Sequence, residues 1–459
     1  METQTESTIT GKQFLRCIFL VVAVLPVLVS KGQEWTRFRG PNGQGISDAE
    51  TVPVKWTEKE YNWKIELPGG GHSSPVLWGE KLFVTSGDQK TAQSIIIALN
   101  VLDGAVLWQK EYTLSKYRPN RLNSFASATP AVDANNVYVL FTSPEETILA
   151  ALDHAGTEIW SRKFEGVHCQ HGAGSSPIVI DEVVVFTHEH EGDGTDSKSA
   201  WIAINRKTGK THWALERKTS PKTSYSTPCV YSPKTGESQL IFTSLAHGMT
   251  GVDPRTGSVV WESASAFISR VISSPVIADD LLIGTCGDYG FGKRLTAIRP
   301  GTSDKSVQPT EAYKIENSSM PYVPTSVAKD GLLFTFHDGG DVSCLRSATG
   351  ERLWQEKPAG RFFGSPVWAD GKLYCITVDG DVVVVRATET YELLAVNPLG
   401  ETSHSTPAIS GGRMYLRTFS HLFSIGGHAQ TAVSPPERRG KIAGKRQTGI
   451  FLGRIVVIA

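Results

Sequence analysis

The chain has 459 residues, with 46 basic and 46 acidic side chains and an apolar fraction of 40%, the balance of a soluble globular protein. Zero net charge hides an asymmetry: residues 429–459 carry +5 and the first 32 carry +1, which leaves about −6 for the body and argues against nucleic-acid binding. Forty-four glycines and 24 prolines suit a fold of many short strands and turns rather than a helical one.

At the N-terminus, Lys12 and Arg16 precede a 13-residue apolar run from Cys17 to Val29, followed by Ser30-Lys31-Gly32. This is the pattern of an export signal, predicted over residues 1–32, and the run is short for a membrane span. A glycine-punctuated loop, Glu34 to Gly45, comes next, then Trp56 and an alternating segment, Asn62 to Leu67. That segment has no repeat unit of its own.

From Ser73 onward one short phrase recurs eight times. Ser73-Ser74-Pro75-Val76 returns as Ala128-Thr129-Pro130-Ala131, Ser175-Ser176-Pro177-Ile178, Ser226-Thr227-Pro228-Cys229 and Ser273-Ser274-Pro275-Val276. It degenerates to Pro324-Thr325-Ser326-Val327 and recovers at Gly364-Ser365-Pro366-Val367 and Ser405-Thr406-Pro407-Ala408. Successive proline positions are 55, 47, 51, 47, 51, 40 and 41 residues apart. A repeat of that size is one blade of a β-propeller. The predicted fold is therefore an all-β, eight-bladed propeller over residues 33–428.

Proline gives no ladder donor and is confined to sheet edges, so the phrase marks the inner strand of each blade, facing the channel. The last repeat lacks an outer strand. The segment Asn62 to Leu67 is assigned to it, which closes the ring with the N-terminal strand and removes two exposed edges.

A second repeat is a glycine followed four residues later by tryptophan, at Trp108, Trp160, Trp213, Trp261 and Trp354. In blades five and seven Tyr313 and Leu394 fall near the place. These rings are read as packing between neighbouring blades. Ala151-Leu152-Asp153 with Gly156 and Trp160 resembles the tryptophan-docking motif of the quinoprotein (PQQ) dehydrogenase propellers. Gly251-Val252-Asp253 with Trp261, and Ala203-Ile204-Asn205 with Trp213, are looser copies. Over residues 35–428 the chain is similar to the PQQ-like repeat proteins. That superfamily includes the exported propeller subunit of the bacterial outer-membrane assembly machine. The resemblance implies an eight-bladed ring and, for many members, a non-catalytic binding scaffold.

The quinoprotein enzymes add a catalytic Asp, a calcium site beside the quinone and often a vicinal disulfide. This sequence has no Cys-Cys pair and no Asp or Glu that stands out as a base. No Gly-x-Ser-x-Gly elbow, His-Glu-x-x-His helix or phosphate loop occurs. The five cysteines beyond the signal are odd in number and lack Cys-x-x-Cys spacing, against a disulfide framework.

Two histidine sets remain. His72 and His404 stand three residues before the phrase proline in blades one and eight, neighbours in a closed ring, and both are placed at the mouth of the channel. Blade three holds His168 and His171 in its entry loop and His188 and His190 at the end of its second strand. These four are candidate metal ligands, although strand alternation throws half of His188-Glu189-His190-Glu191 to each face. His247, Asp88, Asp288 and His337-Asp338 occupy comparable turns and are read as turn chemistry.

The resulting expectation is an exported propeller that binds a protein or peptide of the cell envelope through one loop face, without a resident cofactor. The alternative is an oxidoreductase using PQQ or a divalent metal at the same mouth. No nucleic acid and no membrane span after signal removal are expected. Residues 429–459, with Pro435-Pro436 and a basic stretch, are expected to be a disordered tail.

Overall fold

The computed structural model describes residues 34–196, 198–288 and 292–427. The predicted signal and basic tail lie outside the described residues. Eight four-stranded antiparallel sheets form the molecule, and among the described residues the only helical turns are three short 3-10 segments. No helix there is long and apolar enough to cross a membrane.

Each blade runs from an inner strand a to an outer strand d. Blade one, for example, comprises Val76–Trp78, Lys81–Asp88, Gln93–Asn100 and Val106–Thr113. In the eighth, Ala408–Ser410, Arg413–Arg417 and His421–Gly426 are completed by Tyr61–Glu66, which pairs antiparallel with His421–Gly426. The N-terminal strand therefore closes the ring as the alternation predicts.

Strands b and c are buried on both faces, hence their continuous apolar runs, such as Val183–His188 and Ile95–Leu99. The cores lie between blades. Val76, Phe83 and Ile96 of blade one pack with Val137, Val139 and Leu152 of blade two, and Val185 and Trp201 of blade three with Leu240 and Phe242 of blade four.

The tryptophans dock one blade onto the next. Trp63, Trp108, Trp160 and Trp213 donate their indole N–H to the carbonyls of Val101, His154, Arg206 and Pro254 at 3.1, 3.0, 2.9 and 2.8 Å. Trp354 does the same to Thr388 at 3.0 Å. Trp261 reaches the following blade through a relay, donating to Gln239, whose amide donates to the Gly301 carbonyl. Trp63, Trp108, Trp160, Trp213 and Trp261 lie against Gly104, Gly156, Gly209, Gly257 and Gly301 of the next blade, where a side chain has no room, whereas Trp354 meets Tyr391 edge-on at 5.2 Å. A Cβ at Gly156 (φ +89°) would sit 2.7 Å from Trp108. Across the sheet each ring faces a small residue: Ala98, Ala151, Ala203, Gly251 and Cys344 oppose Trp108, Trp160, Trp213, Trp261 and Trp354.

The two blades without tryptophan solve the problem differently. Tyr313 in blade five donates its hydroxyl to the Ser347 carbonyl at 2.7 Å. Beside Leu394 of blade seven the N-terminal segment supplies the missing bulk. Pro53 packs on Gly426, and Trp56 is buried with its backbone N–H donating to Asn397 at 3.2 Å. The five described cysteines are all free thiols.

Candidate functional site at the propeller axis

The recurrent phrase builds the hub. In each blade strand a begins at the residue after the phrase proline, so Ser-Ser-Pro stands just ahead of it. The second residue of every phrase joins a closed circle of hydrogen bonds. Ser74 N–H donates to Thr129 Oγ1 at 2.9 Å, Thr129 N–H to Ser176 Oγ at 2.9 Å, Ser176 N–H to Thr227 Oγ1 at 3.0 Å and Thr227 N–H to Ser274 Oγ at 3.1 Å. The circle continues from Ser274 N–H to Thr325, Thr325 N–H to Ser365, Ser365 N–H to Thr406 and Thr406 N–H back to Ser74, at 2.9–3.1 Å. Strand a is an edge, and this circle gives its first buried amide a partner in the neighbouring blade. The degenerate sixth phrase keeps its place because Thr325 still supplies the hydroxyl.

The far side of the hub is plugged. Residues 35–47 cross the channel and bond to inner strands or phrases of seven blades. Trp35 and Thr36 carbonyls accept from Leu77 and Val132, Asn42 bonds both ways with Val230, and Ile277 N–H donates to Gln44. Arg39 donates to the Ser326 carbonyl at 2.8 Å, Trp368 N–H to Gly45, and Ser47 Oγ to the Ile409 carbonyl. Arg37 donates to the Pro228 carbonyl. Arg37 and Arg39 are 5% and 0% exposed, and burial lowers them to about 10 and about 9, so both stay charged at neutral pH.

Phe38, between these arginines, forms the floor of a funnel of about 190 Å³ that opens on the opposite face. Seven of the eight hydroxyl residues of the circle ring that floor. Its walls carry Leu122, Tyr225, Ile272, Tyr322, Val323 and Phe363, with His72, His171 and His404. None of the described residues lining it is Asp, Glu, Lys or Arg.

His72 and His404 meet here, as their matching positions predict. Their rings stack at 4.4 Å, and Phe363 meets His404 edge-on at 4.7 Å. Burial holds both imidazoles down, His404 to about 4 and His72 well below its usual value, where His404 and Arg417 also disfavour the cation. His72 Nδ1 is buried without a partner. Arg417 lies behind it, fully buried, donating to the Ser73 and Thr85 carbonyls at 3.0 and 2.6 Å.

The four histidines of blade three do not converge as a ligand set. His171 faces the funnel beside Tyr225, and His168 is exposed. His188 and His190 pair with each other at 4.8 Å, and His188 Nε2 is 2.8 Å from the Glu165 carbonyl. Glu189 points the other way to Trp201 and Glu191 to Arg270, so the strand alternation holds. Among the described residues no group of three His, Cys, Asp or Glu side chains is placed to hold a metal ion.

Of the turn residues, Asp88 caps its own turn through Lys90 N–H. Asp338 does more, binding Lys293 of the previous blade at 2.9 Å, with the two side chains 12% and 7% exposed. A calcium beside a quinone asks for carboxylate oxygens. The funnel lining offers hydroxyls and the Asn123 amide, and this donor set does not fit.

A family model described as outer membrane protein assembly factor BamB matches residues 48–192, 120–320 and 315–427. The chain belongs to this family. No curated protein matches it. The fold of the BamB family is shared with solved structures of low identity. BamB from Moraxella catarrhalis is 14% identical with a TM-score of 0.55, over 80% of this chain and 97% of that one. The quinohemoprotein alcohol dehydrogenase ADHIIG from Pseudomonas putida HK5 is 12% identical with a TM-score of 0.61, over 89% and 82%. The computationally designed Ika8 protein is 11% identical with a TM-score of 0.55, over 80% and 99%. At these identities the likeness is one of fold, common to BamB, an alcohol dehydrogenase and a designed protein.

Proposed function

We propose that this protein is an exported propeller that binds a protein or peptide of the cell envelope through the funnel face, without a resident cofactor. The observation that carries this reading is the funnel itself. It is a concavity with aromatic and apolar walls, on a floor that eight blades and the plug hold rigid. Such a surface recognises shape, because its walls are preorganised and their desolvation costs little. The family's printed name, an assembly factor, agrees with a partner-binding role, and the apolar run Cys17 to Val29 agrees with export. The oxidoreductase alternative asks for carboxylates converging on the axis, and the lining carries none.

A photo-crosslinking residue at position 363 in the rim, introduced in the native host, should trap one discrete envelope partner, while one at Leu107 on an outer strand should not. His72→Ala with His404→Ala should abolish the rim adduct and leave the circular dichroism spectrum intact. An adduct of equal yield from both positions, or one that survives the double substitution while the melting temperature falls, would overturn the reading.

A further inference from the structure

The hub is unusually rich in unspent hydrogen-bond donors. Each hydroxyl of the circle accepts one backbone N–H, and among the described residues none donates its own proton to another protein group. A hydroxyl rotates to suit its acceptor, and seven of the eight face the funnel floor.

Three guanidinium groups surround that floor. Arg37 and Arg39 flank Phe38 in the plug and Arg417 stands behind His72, each 5% exposed or less. Among the described residues none of the three has a carboxylate within ion-pair distance. Their described bonds run to backbone carbonyls and the Ser73 hydroxyl. The Nε of each, with Arg39 Nη1 and Arg417 Nη2, has no partner among the described residues. Buried cations without counter-ions make their surroundings favourable for a negative charge, the more so in a low-dielectric site. Among the described residues the acidic group acting on Arg417 is Glu401, which is itself bonded to Thr418, Ser420 and His421.

The funnel is also a dead end, stopped by Phe38, so it admits the end of a chain and not a segment that passes through. Beyond the hydroxyls its walls are mainly apolar and aromatic, with three histidines and the Asn123 amide. We propose that it is a receptor for the free C-terminal carboxylate of an extended polypeptide. The carboxylate accepts from the hydroxyl circle, and the last side chain lies against Phe363, Tyr322 and Ile272. This rests on the reading that the partner is a protein, and names the part of it that is grasped. Capture of a terminal carboxylate by converging neutral donors is a general mode of peptide recognition.

The test uses the full chain and isothermal titration with N-acetyl-Gly-Phe as the free acid, its C-terminal amide, and benzoate. The acid is expected to bind at least tenfold more tightly than the amide or benzoate. Ile272→Asp sets a negative charge in the funnel wall and should weaken the acid at least tenfold, while the uncharged Ile272→Asn should retain it. Equal binding of acid and amide, or indifference to Ile272→Asp, would overturn the proposal. Benzoate binding as tightly as the dipeptide would assign the site to small carboxylates and overturn the peptide. If the rim-crosslinked partner still binds when its C-terminus is extended by a folded tag, the carboxylate proposal fails and the scaffold reading survives.

Discussion

Thr129 and His404 do opposite kinds of work in the same funnel. Thr129 Oγ1 gives the Ser74 N–H its partner across a blade junction. Thr129→Val keeps the volume and orphans that buried amide, which should cost about 1–3 kcal/mol. Thr129→Ser should be close to neutral, a contrast that denaturant unfolding would read. The signal for this circle was in the sequence, since every phrase has Ser or Thr in its second position. The proline beside it marks only a strand edge, and nothing local says that a hydroxyl accepts from the next blade.

His404, His72 and His190 are instead held below their usual values, first of all by burial. The unfolded chain therefore binds more protons than the folded one between the folded values, about 4 for His404 and His190, and 6.5. Stability should be complete above pH 6.5 and fall as the pH drops towards 4. His404→Asn should flatten that slope in melting curves recorded from pH 7 to 4. An unchanged slope would mean that His404 already sits in water.

At the scale of the strand, the docking ring decides whether blades hold together. Trp160 buries its ring on Gly209 and bonds to Arg206. Trp160→Ala should cost roughly 3–5 kcal/mol, the range for large aromatic truncations. Calorimetry should also show a broadened transition, since one weak junction interrupts a ring whose stability is shared between neighbours. The five tryptophans were legible because they stand at a fixed step from a glycine. Three further residues at the junctions were not. Trp63 docks on Gly104 from a strand placed more than forty residues before Trp108, and Pro53 and Trp56 fill the junction where blade seven has Leu394. Periodicity finds what repeats, and these residues act once each. The metal set of blade three shows the converse: His188 and His190 share a strand face and pair with each other, while the entry loop leaves His168 exposed and turns His171 into the funnel.

The whole molecule is a ring closed twice by its own N-terminal segment, as an outer strand of blade eight and as a plug across the channel. The eight-bladed architecture was readable from the phrase spacing alone. The plug was not, because its contacts reach as far as 362 residues away, from Ser47 to Ile409, and its local sequence is simply a glycine-rich loop. The described chain ends lie beside the hairpins that join strands a and b, Glu34 at Gly79 and Gly427 at Arg413. Those hairpins are on the face opposite the funnel. The funnel thus opens away from both described ends. On the proposed reading, the hydroxyls, aromatic rings and histidines that line the axis serve recognition of a partner.

The claim that the funnel recognises a partner and does not hold a redox centre is tested most directly by native mass spectrometry of the exported chain, offered PQQ together with calcium, zinc and copper. The expected result is the mass of the polypeptide alone. An increment of one quinone and one metal ion, lost on Phe38→Ala, would contradict it and make the funnel an oxidoreductase site.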